Sequence, residues 1–287
     1  MVDIKASQVK ELREKTGLGL MDCKKALQDS NGDIELAIEE LRKTSGMKAS
    51  KKSGRSAADG IIGGFTNQEK TYIVEINCET DFVARDDSFQ EFVKEVVAEI
   101  VNNPMSSLQD LLNTGLEEKR EKIVQKLGEN IVVRRIAKNT DNSTYSNLYL
   151  HSNKKIGTIV SLEGGSADIA KDIAMHAAAT DPLCITPEEI PKDVLEKEKE
   201  IYLAQSSDSG KPADIIEKMV EGKMKKFLSE VSLTEQDFVK DPSMKISDIL
   251  KENDAKILGL TRFEVGEGIV VEEVDFASEV MSQIKDS

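Results

Sequence analysis

The centre of this chain repeats one pattern twice. A β-branched segment, Thr71 to Asn77 (TYIVEIN), leads into a run where Phe89, Phe92, Val93, Val96, Val97, Ile100 and Val101 recur at i, i+3, i+4 and i+7. That spacing lines one face of a helix with apolar side chains. Ser88 and Glu91 have the spacing of a capping box for it, and Pro104 stops it. A helical stretch at Glu117 to Leu127 and a second strand at Ile131 to Ala137 complete the first copy. The second copy has a hairpin, Leu148 to His151 with Ile156 to Leu162 across Asn153-Lys154, then a helix over Ala167 to Ala179. Its closing strand, Gly259 to Val265, comes much later. Each copy predicts an α+β unit with an antiparallel sheet, and no other feature limits the fold class as much.

The rest is arranged around this duplicated core. Residues 1–43 predict three short helices. Ser7 is the expected N-cap of the first, which runs to Lys15 with Val9 and Leu12 inward and Gly17 at its end. Met21 to Leu27 forms the second, and Asp33 to Arg42 the third, with Ile34, Ala37, Ile38 and Leu41 at helical spacing. So small a unit buries little and is expected to dock on something else. Its apolar loop, Gly17 to Met21, is either that contact or ordinary inter-helix packing. Residues 44–57 (TSGMKASKKSGRSA) read as a basic, small-residue linker.

Between the second helix and its late strand lies an insertion. Thr186-Pro187-Glu188-Glu189 reads as a helix start, and Ile190, Val194 and Ile201 form a narrow stripe. After a polar turn at Ser206 to Pro212, Ile216, Val220, Phe227 and Val231 mark a second helix, so an antiparallel coiled-coil hairpin is expected. The tail has a Gly266-Glu267-Gly268 turn, then a predicted helix from Asp275 to Ile284 with Phe276, Val280 and Ile284 on one face. The expected units are 1–55, 56–140, 141–182 with 232–265, the insertion 183–231, and 266–287.

Charge and motif content narrow the function. Lys plus Arg number 39 against 53 Asp plus Glu, a balance of −14 that repels phosphate backbones, so a protein partner is expected and direct nucleic-acid binding is not. With no Trp, four Tyr and eight Phe, a base-stacking platform is poorly supplied. Cys23, Cys78 and Cys184 are widely spaced without a CxxC pair, so no metal site or cofactor is indicated. No window approaches the ~20 apolar residues of a membrane helix, and no leader pattern opens the chain, which reads as cytoplasmic. GxxxxGK[ST], HExxH and GxSxG are absent, and Gly60-Ile61-Ile62-Gly63-Gly64 precedes a strand, the wrong setting for a dinucleotide site. His176, mid-helix among alanines, reads as packing, whereas His151 beside a polar turn reads as surface. An enzyme is therefore the weaker hypothesis, and a general adaptor is the rival among binding proteins.

One segment escapes this regularity. Cys78 to Asp87 (CETDFVARDD) links strand to helix with about ten residues where the second copy uses four, Glu163-Gly164-Gly165-Ser166. It sets Phe82-Val83 among Glu79, Asp81, Arg85, Asp86 and Asp87. An apolar pair in a surplus charged link is a candidate for binding; the alternative is that Phe82 tucks beneath the loop into the core.

NCETDFVARDDSF closely resembles the TDFVA signature of the elongation factor Ts family, and ELREKTGLGLMDCKKAL resembles that family's other signature. The resemblance continues through NGDIELAIEELRK, GENIVVRRI, IAMHAAA, IIEKMVEGKMKKF, EVSLTEQ and RFEVGEGI. It implies an N-terminal domain of ubiquitin-associated type, a duplicated α+β core, a coiled-coil insertion and a C-terminal helical module. It further implies a non-enzymatic guanine nucleotide exchange factor that binds elongation factor Tu, displaces magnesium and GDP, and leaves when GTP enters. On that resemblance Phe82 is the wedge and Asp81 its polar anchor, with Thr80 and Val83 shaping the turn. Leu12, Leu20 and Met21 match contacts of the N-terminal domain, and His151 matches a core contact with another domain of the partner. The resemblance is also compatible with dimerisation through the coiled-coil insertion.

Overall fold

The computed structural model describes residues 4–103, 107–207 and 212–270. Two three-stranded antiparallel sheets form its centre. The first has the order β1 (Asp59–Thr66), β2 (Thr71–Cys78), β3 (Val132–Lys138), and the second the order β4 (Tyr145–Leu150), β5 (Ile156–Gly164), β8 (Ala255–Glu264). Every residue of β2 is buried because both of its faces are covered. Alternation along the strand sends Tyr72, Val74, Ile76 and Cys78 to a helix-covered face, where Phe89, Phe92, Val96 and Ile100 pack. Ile73 faces the other way and meets Ile62, Leu148, Ile159 and Phe263, which join the two sheets.

Helices cap the outer faces. In the first half these are α4 (Asp81–Ala84), α5 (Asp87–Asn102), α6 (Leu108–Leu111) and α7 (Glu117–Leu127). In the second, α8 (Ala167–Thr180) and the short α11 (Ile246–Glu252) cover the sheet. Sheets and helices thus bear out the α+β class. Buried His176 on α8 is a packing residue: its Nε2 lies 2.9 Å from Gln236 Oε1, and its Nδ1 accepts the Val239 N–H at 3.3 Å. The small pair β6 (Asp237–Phe238) and β7 (Asp241–Lys245) completes the half.

Two expectations are corrected here. Gly60–Gly64, expected to lead into a strand, lies within one. Its glycines disguise β1, yet they are what the strand needs. A Cβ on Gly63 would meet Val93 Cγ1 at 2.9 Å on the helix side, and one on Gly64 would meet Leu148 Cδ2 at 2.4 Å on the sheet side. The second correction concerns residues 44–57. The N-terminal helices are α1 (Ala6–Thr16), α2 (Leu20–Asp29) and α3 (Ile34–Lys52), so α3 runs through most of the expected linker. Ser45 and Ala49 are buried, and Ala49 belongs to the core beneath β2. A run of small residues is also what close helix packing requires: a Cβ on Gly46 would lie 3.0 Å from Glu121 Oε1 of α7. The three-helix unit is therefore joined to the core by a continuous helix.

The insertion forms two helices, α9 (Lys192–Ser207) and α10 (Ala213–Val231). Thr186–Glu189 supplies only one 3₁₀ turn without a side-chain cap, because Pro191 delays the helix until Lys192. Val220 is buried as expected, but Ile201 is 39% exposed. The neighbouring Tyr202 is half-buried, with Lys223 Nζ of α10 5.3 Å from its ring centroid. Pro104, most of the hairpin tip and the helix expected over Asp275 to Ile284 lie outside the described residues. No helix among those described is long and apolar enough to cross a membrane.

Fully buried Glu75 ties β2, β3 and the end of β8 together. It accepts hydrogen bonds from Arg134 Nη1 (2.9 Å), Arg135 Nε, Asn77 Nδ2 (3.0 Å) and the Gly266 N–H (2.9 Å). Burial pushes its pKa up, but these donors outweigh burial and hold it below the usual carboxylate value. A depressed folded-state pKa gives stability that is complete above the unfolded value of about 4.3 and is lost as pH falls through the folded one. Glu75→Gln is expected to lower unfolding free energy at pH 7 by about 3 kcal/mol, since it removes the buried charge that Arg134 and Arg135 share and leaves Arg135 only Glu267, at 2.9 Å. It should also flatten the acid limb of the stability curve. Urea melts across pH 3–7 check both, and an unchanged midpoint at pH 7 would contradict the assignment.

Candidate functional site

The surplus link between β2 and α5 is built as a helical turn. Cys78 ends β2, and its Sγ donates to the Thr80 carbonyl at 3.2 Å. Burial, with the nearby Asp59 and Glu129 charges, pushes that thiol up to about 12, so it remains protonated and a donor. Thr80 adopts extended backbone (φ −131°, ψ 158°) and caps α4: its Oγ1 accepts the Val83 N–H at 3.4 Å, and its carbonyl accepts the Ala84 N–H at 3.2 Å. Asp81 opens the turn and pairs with Arg85 at 2.8 Å.

This turn separates the two apolar residues. Val83 is 8% exposed and, with Ala84, joins the core formed by Ile61, Phe89 and Phe92. Phe82 is 81% exposed. The alternative in which Phe82 tucks into the core is overturned: valine fills the core and phenylalanine faces out. One expectation fails in detail. The N-cap of α5 is Asp86, whose Oδ1 accepts the Ser88 N–H at 2.8 Å, and not Ser88. Ser88 Oγ is engaged by Lys126 Nζ at 2.6 Å, and Glu91 pairs with Lys94 at 3.3 Å.

The turn is braced from far along the chain. Glu129, in the connection between α7 and β3, accepts the N–H groups of Glu79 (3.1 Å) and Thr80 (2.9 Å) and the Thr80 hydroxyl (2.7 Å). Glu79 Oε1 in return accepts the Asn130 N–H at 2.6 Å. Periodicity gave no signal for Glu129, because it acts across some 50 residues from a position that fits no repeat.

The other expected contact residues lie on neighbouring elements, with one correction. Leu20 and Met21 are 55% and 77% exposed at the start of α2. Leu12 is 0% exposed in the three-helix core, so it offers no surface for a partner. It backs the loop whose Leu18 shares that core. Gly17 of the loop lies against Lys126, a Cβ there being 3.6 Å from Lys126 Cε, and Lys126 reaches the start of α5. Lys126 thus lies between the loop and the first turn of α5. His151 is exposed at the end of β4, 3.3 Å from the Tyr149 hydroxyl, in a turn whose Lys154 carbonyl accepts the Ile62 N–H of β1 at 2.8 Å. β1 also packs on α4, so the strand carries both Phe82 and His151 on its flanks.

What this surface offers chemically is contact. Among the described residues no group of three or more His, Cys, Asp or Glu is placed to hold a metal. An exposed ring on a capped, cross-braced turn is preorganised to enter a pocket.

The family model described as Elongation factor TS matches residues 79–267, from the base of the Phe82 turn to the end of β8 and the turn beyond. The Elongation factor Ts of Hahella chejuensis is 52% identical over 287 residues, covering 99% of this chain and all of that protein. That of Marinobacter nauticus is 51% identical over 282 residues (98% of this chain, 97% of that protein), and that of Francisella tularensis subsp. novicida is 47% identical over 291 (99% and 100%). The family-model match and near full-length identity lead to one conclusion: this chain belongs to the elongation factor Ts family, a family of translation elongation factors.

Proposed function

We propose that this chain is a guanine nucleotide exchange factor, acting on elongation factor Tu by inserting Phe82 beside the bound magnesium and GDP. The observation that carries the proposal is the 81% exposed Phe82 on a turn whose next two side chains are buried. A GTPase holds GDP and magnesium through phosphate-cradling amides and coordinated oxygens. A factor that binds best to the conformation with those elements displaced must, by linkage, weaken nucleotide binding by the same factor. Burying one phenylalanine stabilises the displaced conformation by about 1.5–3 kcal/mol, roughly a ten- to hundredfold effect.

Thr80 and Val83 serve this function by holding the ring outward, and Asp81 adds a polar contact. Leu20 and Met21 provide a second foothold and His151 a third, which larger accelerations require. Abundant GTP then rebinds and displaces the factor by mass action. No covalent bond changes, so the activity is exchange and not catalysis, and the chain needs no cofactor of its own. The acidic balance of −14 favours a protein partner over free nucleic acid.

The hairpin supports dimerisation as a separate property. Leu203, Ile216, Val220 and Met224 line an apolar groove along it, bordered by Glu217 and Lys225. Antiparallel pairing of two α10 helices about Glu221 sets Glu217 of one copy against Lys225 of the other. Sedimentation equilibrium at micromolar concentration is expected to show a dimer for the wild type and a monomer for Leu203→Glu/Met224→Glu. A monomer in both cases refutes pairing through this groove.

The central proposal is tested with fluorescent GDP on elongation factor Tu. Phe82→Ala should leave unfolding free energy within ~0.5 kcal/mol of wild type but slow stimulated GDP release at least tenfold. Val83→Ala should instead lower stability by about 1.5–3 kcal/mol. Native-rate release by Phe82→Ala would sink the wedge assignment.

A further inference from the structure

We infer that Glu129 is a positioning residue for exchange, one that fixes the direction in which Phe82 points. The inference rests on the wedge reading above and adds to it the group that makes the wedge rigid. A single helical turn such as α4 has no stability of its own in water, because nucleation is not yet repaid by propagation. Something outside the turn must hold it.

The geometry identifies that group. Both oxygens of the Glu129 carboxylate are engaged, one by the Glu79 and Thr80 N–H groups at 3.1 and 2.9 Å, the other by the Thr80 hydroxyl at 2.7 Å. A threonine hydroxyl has one hydrogen to donate. Glu129 takes that hydrogen, which leaves the oxygen's lone pairs to accept the Val83 N–H and close the cap. The carboxylate therefore sets both the backbone entering the turn and the side-chain rotamer that caps it.

The brace extends to the N-terminal helices. Asn130, next to Glu129, donates through Nδ2 to the carbonyls of Arg55 (2.9 Å) and Ser53 (3.4 Å) just past α3. Lys52 Nζ donates to the Gly128 carbonyl, and Arg55 reaches Glu79 at 3.5 Å. The 128–130 turn thus ties the end of α3 to the Phe82 turn. The end of α3 and the turn that carries Phe82 are braced by the same segment.

Glu129→Gln keeps the shape of the side chain but loses the charge and half of its acceptor capacity. It is expected to lower the maximal rate of GDP release from elongation factor Tu on the order of tenfold, the effect of restoring freedom to about one residue. The concentration giving half-maximal rate should change much less. Amide hydrogen exchange at Phe82 to Arg85 should speed up while that of α8 stays at the wild-type rate.

A double-mutant cycle separates positioning from general destabilisation. Phe82→Ala/Glu129→Gln is expected to be no slower than Phe82→Ala, because a side chain that aims the ring has no role once the ring is gone. Effects that multiply would overturn the inference, as would a wild-type rate for folded Glu129→Gln when Phe82→Ala is slow. Full activity of Phe82→Ala removes the wedge reading, and the positioning role with it. Should Glu129→Gln fail to fold, Glu129→Asp replaces it: the charge is kept, the reach is shortened, and the same cycle decides.

Discussion

The face-to-face packing of the two small sheets, through Ile62, Ile73, Leu148, Ile159 and Phe263, governs the rest of the structure. A three-stranded sheet of this size cannot bury both faces on its own, so each half uses a helix on one side and its duplicate on the other. β2 is buried along its whole length as a result. β1 lies beside it at the edge of the sheet, and the candidate contact residues Phe82 and His151 flank it. Cys78, paired with Asp59 at the start of β1, leads directly into the Phe82 turn. The turn bearing His151 bonds to Ile62, and Lys155 Nζ donates to the Gly60 carbonyl at 2.8 Å. A change in sheet packing would therefore move Phe82 and His151 relative to each other.

Much of this was legible in the sequence, and the failures have physical causes. Apolar periodicity located α5 and α8 because each lays one face on a sheet. Gly17 and Asp33 marked helix ends because a left-handed residue (φ 70°) and a side-chain cap are local needs. Composition misled where tertiary contact set the residue type. Gly63 and Gly64 look like a loop but allow close approach on both faces of a strand, and Gly46 and Ala49 look like a linker but allow α3 to lie on α7 and the core. The excess length at Cys78 to Asp87 was visible by comparison with the duplicate. Which of Phe82 and Val83 faced outward was not, because one turn of helix has no period to read. Glu129 was hidden for a related reason, since its bonds to Glu79 and Thr80 are long-range and satisfy backbone groups that any residue would carry.

Structure and function meet in the contrast between a fixed turn and an exposed ring. The cap, the Cys78 thiol and the Glu129 carboxylate have already ordered the Phe82 turn before any partner arrives, so little of the gain from burying the ring is lost to ordering it. That gain is available only to a conformation of the partner that has a place for the ring. On the proposed function, a GTPase tightly closed on GDP and magnesium is not that conformation, which is why binding of the factor and retention of the nucleotide oppose each other.

The direct test is therefore the closed thermodynamic cycle of factor, elongation factor Tu and GDP. Calorimetry gives the affinity of elongation factor Tu for GDP with and without this chain, and its affinity for this chain with and without GDP. The account predicts that the two ratios are large and equal, and that Phe82→Ala reduces both by the same factor of ten or more. A Phe82→Ala protein that binds nucleotide-free elongation factor Tu more weakly yet keeps both ratios at their wild-type values would contradict it, for the ring would then add affinity without opposing GDP.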